Sequence, residues 1–161
     1  MTATIRSLVT SDGVKLRVRQ YAAVEGIGGV VICLHGIQSH SGWYQYSSQQ
    51  LAAAGFEVYF ADRRGSGLNG RQRGHADHGQ RLLHDVRQLA RLVRQQHPGE
   101  SITLLGVSWG GKIAAAFAAT FPELIDRLAL LYPGLEPKIR PNWWQKLQLS
   151  FARSHDIRHQ N

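Results

Sequence analysis

The stretch Gly106-Val107-Ser108-Trp109-Gly110, set between the apolar run 102–107 and the alanine-rich run 109–120, constrains this chain more than any other feature. An extended run that reverses into a helix across a single residue forces that residue into a strained backbone conformation. Glycines two before and two after it remove the side chains that would collide. The pattern is that of a nucleophile elbow, so Ser108 is expected to stand exposed at the turn, its Oγ next to the amino end of a helix.

The rest of the chain supplies a framework of matching type. Residues 3–10 and 15–22 read as paired strands around the turn Ser11-Asp12-Gly13, the second alternating Leu16, Val18 and Gln20 with Lys15, Arg17 and Arg19. After the bend Gly26-Ile27-Gly28-Gly29, the apolar runs 30–34, 56–61, 102–107 and 128–132 lack alternation, as strands buried on both faces of a parallel sheet do. Helical patterns over about 43–54, 79–97 and 109–120 separate them. The expected fold is therefore α/β, a mostly parallel sheet with helices on both faces. Residues 1–134 form the core in this reading, and 135–161 change character. Pro137 and Pro141 break structure there, and Trp143, Trp144, Leu147, Leu149 and Phe151 mark the start of a lid.

With 161 residues, one core is the expectation. No basic, apolar leader opens the chain and no apolar run reaches membrane-spanning length, so a cytoplasmic protein without an integral membrane segment is expected. Cys33 is the only cysteine and sits in an apolar run, as a packed core thiol does. The 19 Lys and Arg against 11 Asp and Glu give a net charge of +8, which raises the question of a polyanionic partner. Arg81, Arg87, Arg91 and Arg94, however, fall opposite Leu82, Leu83, Val86, Leu89, Ala90 and Val93 on one helical pattern. No aromatic residues interleave with them as a nucleic-acid platform requires, so a solvated face and no nucleic-acid partner are expected.

An activated serine needs amide donors for the developing oxyanion, a histidine base and a carboxylate to orient the base. One donor is the N–H of Trp109, directly after Ser108; the other is expected from the loop after the strand ending at Leu34. That loop reads His35-Gly36-Ile37-Gln38, making Ile37 the second donor and Gly36 the place where backbone approaches substrate.

His35-Gly36, the turn Ala61-Asp62-Arg63-Arg64-Gly65-Ser66-Gly67, Arg73-Gly74-His75, Asp85 and the Ser108 elbow, in this order, resemble the α/β-hydrolase fold. Within it the likeness is to monoacylglycerol lipases, lysophospholipases and serine aminopeptidase-type hydrolases, over residues 10 to 150. The resemblance implies Ser108 as nucleophile, Ile37 and Trp109 amides as oxyanion hole, no metal or cofactor, and Asp62 and Gly65 as a structural turn. It also implies a small-molecule or lipid ester substrate, of the acylglycerol or lysophospholipid kind, with Trp143 and Trp144 suited to an acyl chain.

Members of that family run on through a complete lid and two more strands that deliver the triad aspartate and histidine. The expectation here is an N-terminal portion carrying nucleophile and hole without a base. Asp126 and His155 follow Ser108 in the hydrolase order, but a helix over 109–120 carries the chain roughly 18 Å to the far edge of the sheet before Asp126. Glu136 with His155 or His159 is the remaining pairing. An unpaired edge at 128–132 and bared Trp143, Trp144 and Phe151 would favour self-association, and a catalytically inert fragment is the rival reading.

Three other motifs are weaker. Gly106 to Lys112 fits part of a phosphate-binding loop, but Ile113 stands where a Ser or Thr should hold magnesium. Gly65-Ser66-Gly67-Leu68-Asn69-Gly70 matches a dinucleotide fingerprint without the helix that should follow. His75, Asp77, His78 and His84 make a poor metal set.

Overall fold

In the computed structural model, residues 2–70, 73, 74, 76, 78–135, 143 and 144 are described. Strands β1 (Thr4–Val9) and β2 (Lys15–Tyr21) form the expected hairpin, and β3 (Val30–Leu34) begins after the glycine bend. A 3₁₀ turn, Ser41–Tyr44, leads into helix α1 (Gln45–Ala53), then β4 (Glu57–Ala61), α2 (Gly79–Gln96) and β5 (Ile102–Val107). Helix α3 (Trp109–Thr120), a second 3₁₀ turn at Pro122–Leu124 and β6 (Arg127–Leu131) complete the described elements.

The six strands form one sheet in the order β1-β2-β4-β3-β5-β6, antiparallel at the β1 and β2 side and parallel from β4 to β6. In this register Leu34 pairs with Ala61 on one side and with Gly106 on the other, and Val107 pairs with Leu131. Four parallel strands therefore end side by side, and the loops after them share one rim of the sheet. In open α/β sheets that rim is where ligands bind.

The core lies in two layers. Val30, Ile32 and Leu34 of β3 pack with Ile102 and Leu104 under α2 and α3, whereas Val31 and Cys33 pack with Val58, Phe60 and Ala52 on the α1 side. Successive β3 residues thus point into opposite layers, which is why its sequence shows no alternation. The Cys33 thiol is buried and pushed up to about 12 by desolvation, the state of a packing group.

Two expectations need correcting. Burial on both faces holds for β3 and β4, while β5 alternates buried with half-buried residues and β6 is largely exposed, because no described element covers the α1 side there. The arginine face of α2 is not simply solvated either, since of its four arginines only Arg91 is exposed. Arg81 pairs with Asp12 at 3.1 Å, Arg94 with Asp126 at 2.9 Å, and Arg87 lies 4.7 Å over the Phe121 ring. Their long stems cover apolar surface while the heads find partners. Among the described residues no helix is long and apolar enough to cross a membrane.

Candidate active site

Ser108 joins β5 to α3 with φ 52° and ψ −118°, a left-handed conformation that a residue with a side chain adopts only when its surroundings impose it. The surroundings are glycine contacts. A Cβ on Gly106 would lie 2.7 Å from the Gly110 carbonyl oxygen, and one on Gly110 would lie 2.5 Å from Leu34 O and 2.6 Å from His35 O. Only bare backbone lets α3 start this close to the sheet. Ser108 N–H donates to Leu131 O at 2.9 Å, and its carbonyl accepts from Gly111 N–H at 2.9 Å and Gly134 N–H at 3.2 Å, fastening the bend to the exit of β6. The serine side is left exposed.

The loop after β3 comes up against this bend. A Cβ on Gly36 would lie 3.4 Å from Ser108 Cβ and 3.8 Å from its Oγ, so the Gly36 backbone faces the serine directly. Ile37 is exposed, and Gln38 beyond it has φ 55°. Neither the Ile37 nor the Trp109 amide has an acceptor among the described residues; the Trp109 N–H is the first of α3 and has no place in the helical ladder.

His35 is fully buried beneath the loop. Its Nε2 accepts from Arg63 N–H at 3.2 Å, which places the ring proton on Nδ1, and Nδ1–H donates to Gly36 O at 2.8 Å. Desolvation pulls its pKa down to about 4, so the ring is neutral at pH 7 and serves as framework. Arg63 also donates from Nη2 to Gly36 O at 2.7 Å, and its guanidinium lies 4.5 Å over the Trp109 ring. The sequence reading passed over Arg63. Its only signal was a second arginine in the turn after β4, where an arginine is ordinarily solvated.

Asp62 is buried in the turn after β4 and accepts from Ser41 N–H at 2.6 Å and Leu68 N–H at 2.9 Å, with Gly67 packed so closely that a Cβ there would overlap the carboxylate. It shapes the turn, as the resemblance implied. Arg64 grips buried Asp85 with two hydrogen bonds, 2.6 and 2.9 Å, and reaches Asp12 at 2.8 Å, tying the β1–β2 turn to α2. The Arg64 guanidinium, helped by the Thr10 hydroxyl, holds the Asp12 carboxyl well below the usual carboxylate range.

Asp126 is remote from the bend. Its carboxylate accepts from Ile102 N–H at 2.7 Å, at the opposite end of β5, about 20 Å of strand from Ser108. Ile113 is buried in the core, unable to serve a metal. His78 caps α2 by accepting from Arg81 N–H at 3.2 Å, and His84 is exposed. Trp143 and Trp144 stack on each other at 3.9 Å and stay exposed; no hydrogen bond or ring contact ties them to the bend. His75, Asp77, Glu136, His155 and His159 lie outside the described residues. Among those described, no histidine or carboxylate is hydrogen-bonded to Ser108 Oγ.

A family model described as serine aminopeptidase, S33 (Hydrolase_4) matches residues 26–158. The chain belongs to this family, and its sheet is an α/β-hydrolase core. A monoacylglycerol lipase of Mycolicibacterium smegmatis is 35% identical over 107 residues, 66% of this chain and 38% of the lipase. Lysophospholipase L2 of Escherichia coli is 30% identical over 150 residues, 89% of this chain and 44% of that enzyme. Among solved structures, a thermostable carboxyl esterase from Bacillus coagulans superposes with a TM-score of 0.72 at 25% identity, covering 81% of this chain and 44% of the esterase. The chain thus spans less than half the length of these relatives.

Proposed function

We propose that the chain carries the nucleophile and oxyanion hole of a carboxylic-ester hydrolase acting on acylglycerol or lysophospholipid esters. Ser108 Oγ attacks the ester carbonyl carbon as its proton passes to a base. The carbonyl oxygen becomes an oxyanion held by the Ile37 and Trp109 amides, with Gly36 giving it room. Collapse breaks the ester C–O bond as the base returns its proton to the departing alcohol, and the acyl-serine left behind is hydrolysed by water, which gives its proton to the same base before Ser108 Oγ–H is restored. The observation that carries this reading is the strained backbone of Ser108, exposed against Gly36 and flanked by two amides without acceptors. The substrate class rests on the names of the lipase and lysophospholipase relatives.

Among the described residues no histidine is hydrogen-bonded to Ser108 Oγ, and His35 is buried and spent on Gly36 and Arg63. That favours one second reading, a hydrolase core that is inert by itself, because hole and binding alone leave only about 10³- to 10⁴-fold catalysis over water. A fluorophosphonate probe separates the two. Labelling at Ser108 at hydrolase-like rates, lost in Ser108→Ala, supports the enzyme; a folded protein that takes no label overturns it in favour of the inert core.

A further inference from the structure

Arg63 follows β4 by two residues, and the pairing of Ala61 with Leu34 brings its side chain to the loop after β3. There one guanidinium meets both halves of the proposed hole. Its Nη2 donates to Gly36 O at 2.7 Å, and its central carbon stands 4.5 Å from the Trp109 ring centroid. Gly36 O belongs to the same peptide unit as the Ile37 N–H. In a planar amide the nitrogen shares its electron pair with the carbonyl, so a bond accepted at oxygen draws charge from nitrogen and makes the N–H a stronger donor.

This carbonyl accepts twice, from His35 Nδ1–H at 2.8 Å and from the charged Arg63. A charge-assisted bond polarises more than a neutral one. Among the described residues no carboxylate is ion-paired with the guanidinium, which feels the neighbouring buried Asp62 only through space, and its Nε is buried without a partner. Nη2 even stands 3.2 Å from His35 Nδ1, where both groups are donors, so its position is set by Gly36 O and the Trp109 face. A half-buried cation kept at such cost in desolvation points to a role at the site.

We propose that Arg63 is a positioning residue of the oxyanion hole, polarising the Gly36–Ile37 peptide through Gly36 O while holding Trp109 by its ring, so that both donors are referred to one rigid group. This rests on the ester-hydrolase reading above. Arg63 touches neither substrate nor reacting atoms; it acts through Ile37 and Trp109. Lysine cannot replace it fully, since an ammonium at Gly36 O has no planar face for the indole.

The test compares the full chain with Arg63→Met and Arg63→Lys. The rate constant for Ser108 labelling by a fluorophosphonate is measured along with the Gly36 carbonyl-carbon and Ile37 amide-nitrogen NMR shifts. In Arg63→Met the labelling rate is expected to fall about tenfold, a fraction of the 10²- to 10³-fold lost when an entire donor is removed. The Ile37 nitrogen signal should move upfield while the melting temperature stays close to that of the wild type. Arg63→Lys should recover part of both, a rescue that a merely structural role would not produce.

Equal labelling rates in wild type and Arg63→Met overturn the inference and leave the hydrolase reading standing. A wild type that takes no label overturns the hydrolase reading, and the NMR shifts then decide: an Ile37 signal unmoved by Arg63→Met overturns the inference, and a moved one upholds the coupling. Should Arg63→Met fail to fold, Arg63→Lys carries the test, a wild-type rate with an unmoved Ile37 signal refuting it.

Discussion

Gly110→Ala tests the central packing claim with the smallest possible perturbation. The added Cβ would meet Leu34 O at 2.5 Å, His35 O at 2.6 Å and Leu34 C at 2.8 Å, whereas ordinary contact begins at 3.4 Å. All three atoms are backbone of β3 and the loop after it, so no side chain can swing aside. To bring the tightest contact to 3.4 Å the first turn of α3 must move away from β3 by about 0.9 Å. Overpacking of this kind costs typically 1–3 kcal/mol, and with rigid backbone on the receiving side the upper end applies. At about 2–4 °C per kcal/mol for a domain of this size, the melting temperature should fall by about 6–12 °C.

Gly79→Ala is the control, since its Cβ would meet nothing within 4 Å at the start of α2. It should be neutral or slightly stabilising. Because the same displacement separates the Trp109 amide from the Gly36 loop, fluorophosphonate labelling of Ser108 in Gly110→Ala should drop by about 10²-fold, the usual cost of a misplacement near 1 Å. Thermal unfolding followed by circular dichroism reads the first effect and probe kinetics the second. A Gly110→Ala protein that melts with the wild type and labels at its rate would refute the claim that bare backbone contact seats the bend.

Folding stability should weaken as pH falls from about 6.5 toward 4. His35 has its pKa lowered to about 4 in the fold, so over that interval the unfolded chain binds a proton that the native ring does not, at a cost of up to about 3 kcal/mol. Urea titrations should show this slope flattened in His35→Asn, whose side-chain amide can still donate to Gly36 O. Asp85→Ala should destabilise by about 3 kcal/mol in urea unfolding, because Arg64 loses its two-bond partner in a mostly buried site; Arg64→Met with Asp85→Leu should cost less than Asp85→Ala alone. Cys33 should react with a thiol reagent only at the rate of global unfolding, given its burial and raised pKa.

The elements most legible in the sequence were those whose ends are set by local chemistry. The run 30–34 begins after a glycine bend, and 102–107 and 109–120 are divided by the elbow itself; the structure reproduces all three bounds. The expected helix over 43–54 instead splits into a 3₁₀ turn, Ser41–Tyr44, and α1. That turn is held by His40, which caps Gly42 N–H at 3.1 Å, and by Asp62, which accepts from Ser41 N–H across 21 residues of chain. No apolar periodicity announces an element anchored by a distant carboxylate. Arg63 escaped for the same reason: its meaning depends on the register of β3 against β4, and a parallel pairing leaves no trace in either strand's own sequence.

Register also accounts for where strain collects. Among the described residues three non-glycine residues have positive φ, Gln38 at 55°, Ser108 at 52° and Tyr132 at 48°, and they lie beyond β3, β5 and β6, which are neighbours in the sheet. Each such conformation costs on the order of 1–3 kcal/mol and persists only where packing dictates it. If the strain were incidental it would be scattered among the loops, yet it occupies one rim, around the contact of Gly36 with Ser108. The Ser108 carbonyl accepts from Gly134 N–H and its amide donates to Leu131 O, on either side of Tyr132, so the bend after β6 is coupled to the bend after β5 by two hydrogen bonds. Replacing Tyr132 by glycine, which adopts positive φ freely, should therefore relieve strain in that segment without moving the serine. A gain of a few tenths to about 1 kcal/mol in urea unfolding, with Ser108 labelling unchanged, is expected. Loss of labelling in this variant would instead mean that the exposed ring of Tyr132 takes part in the site.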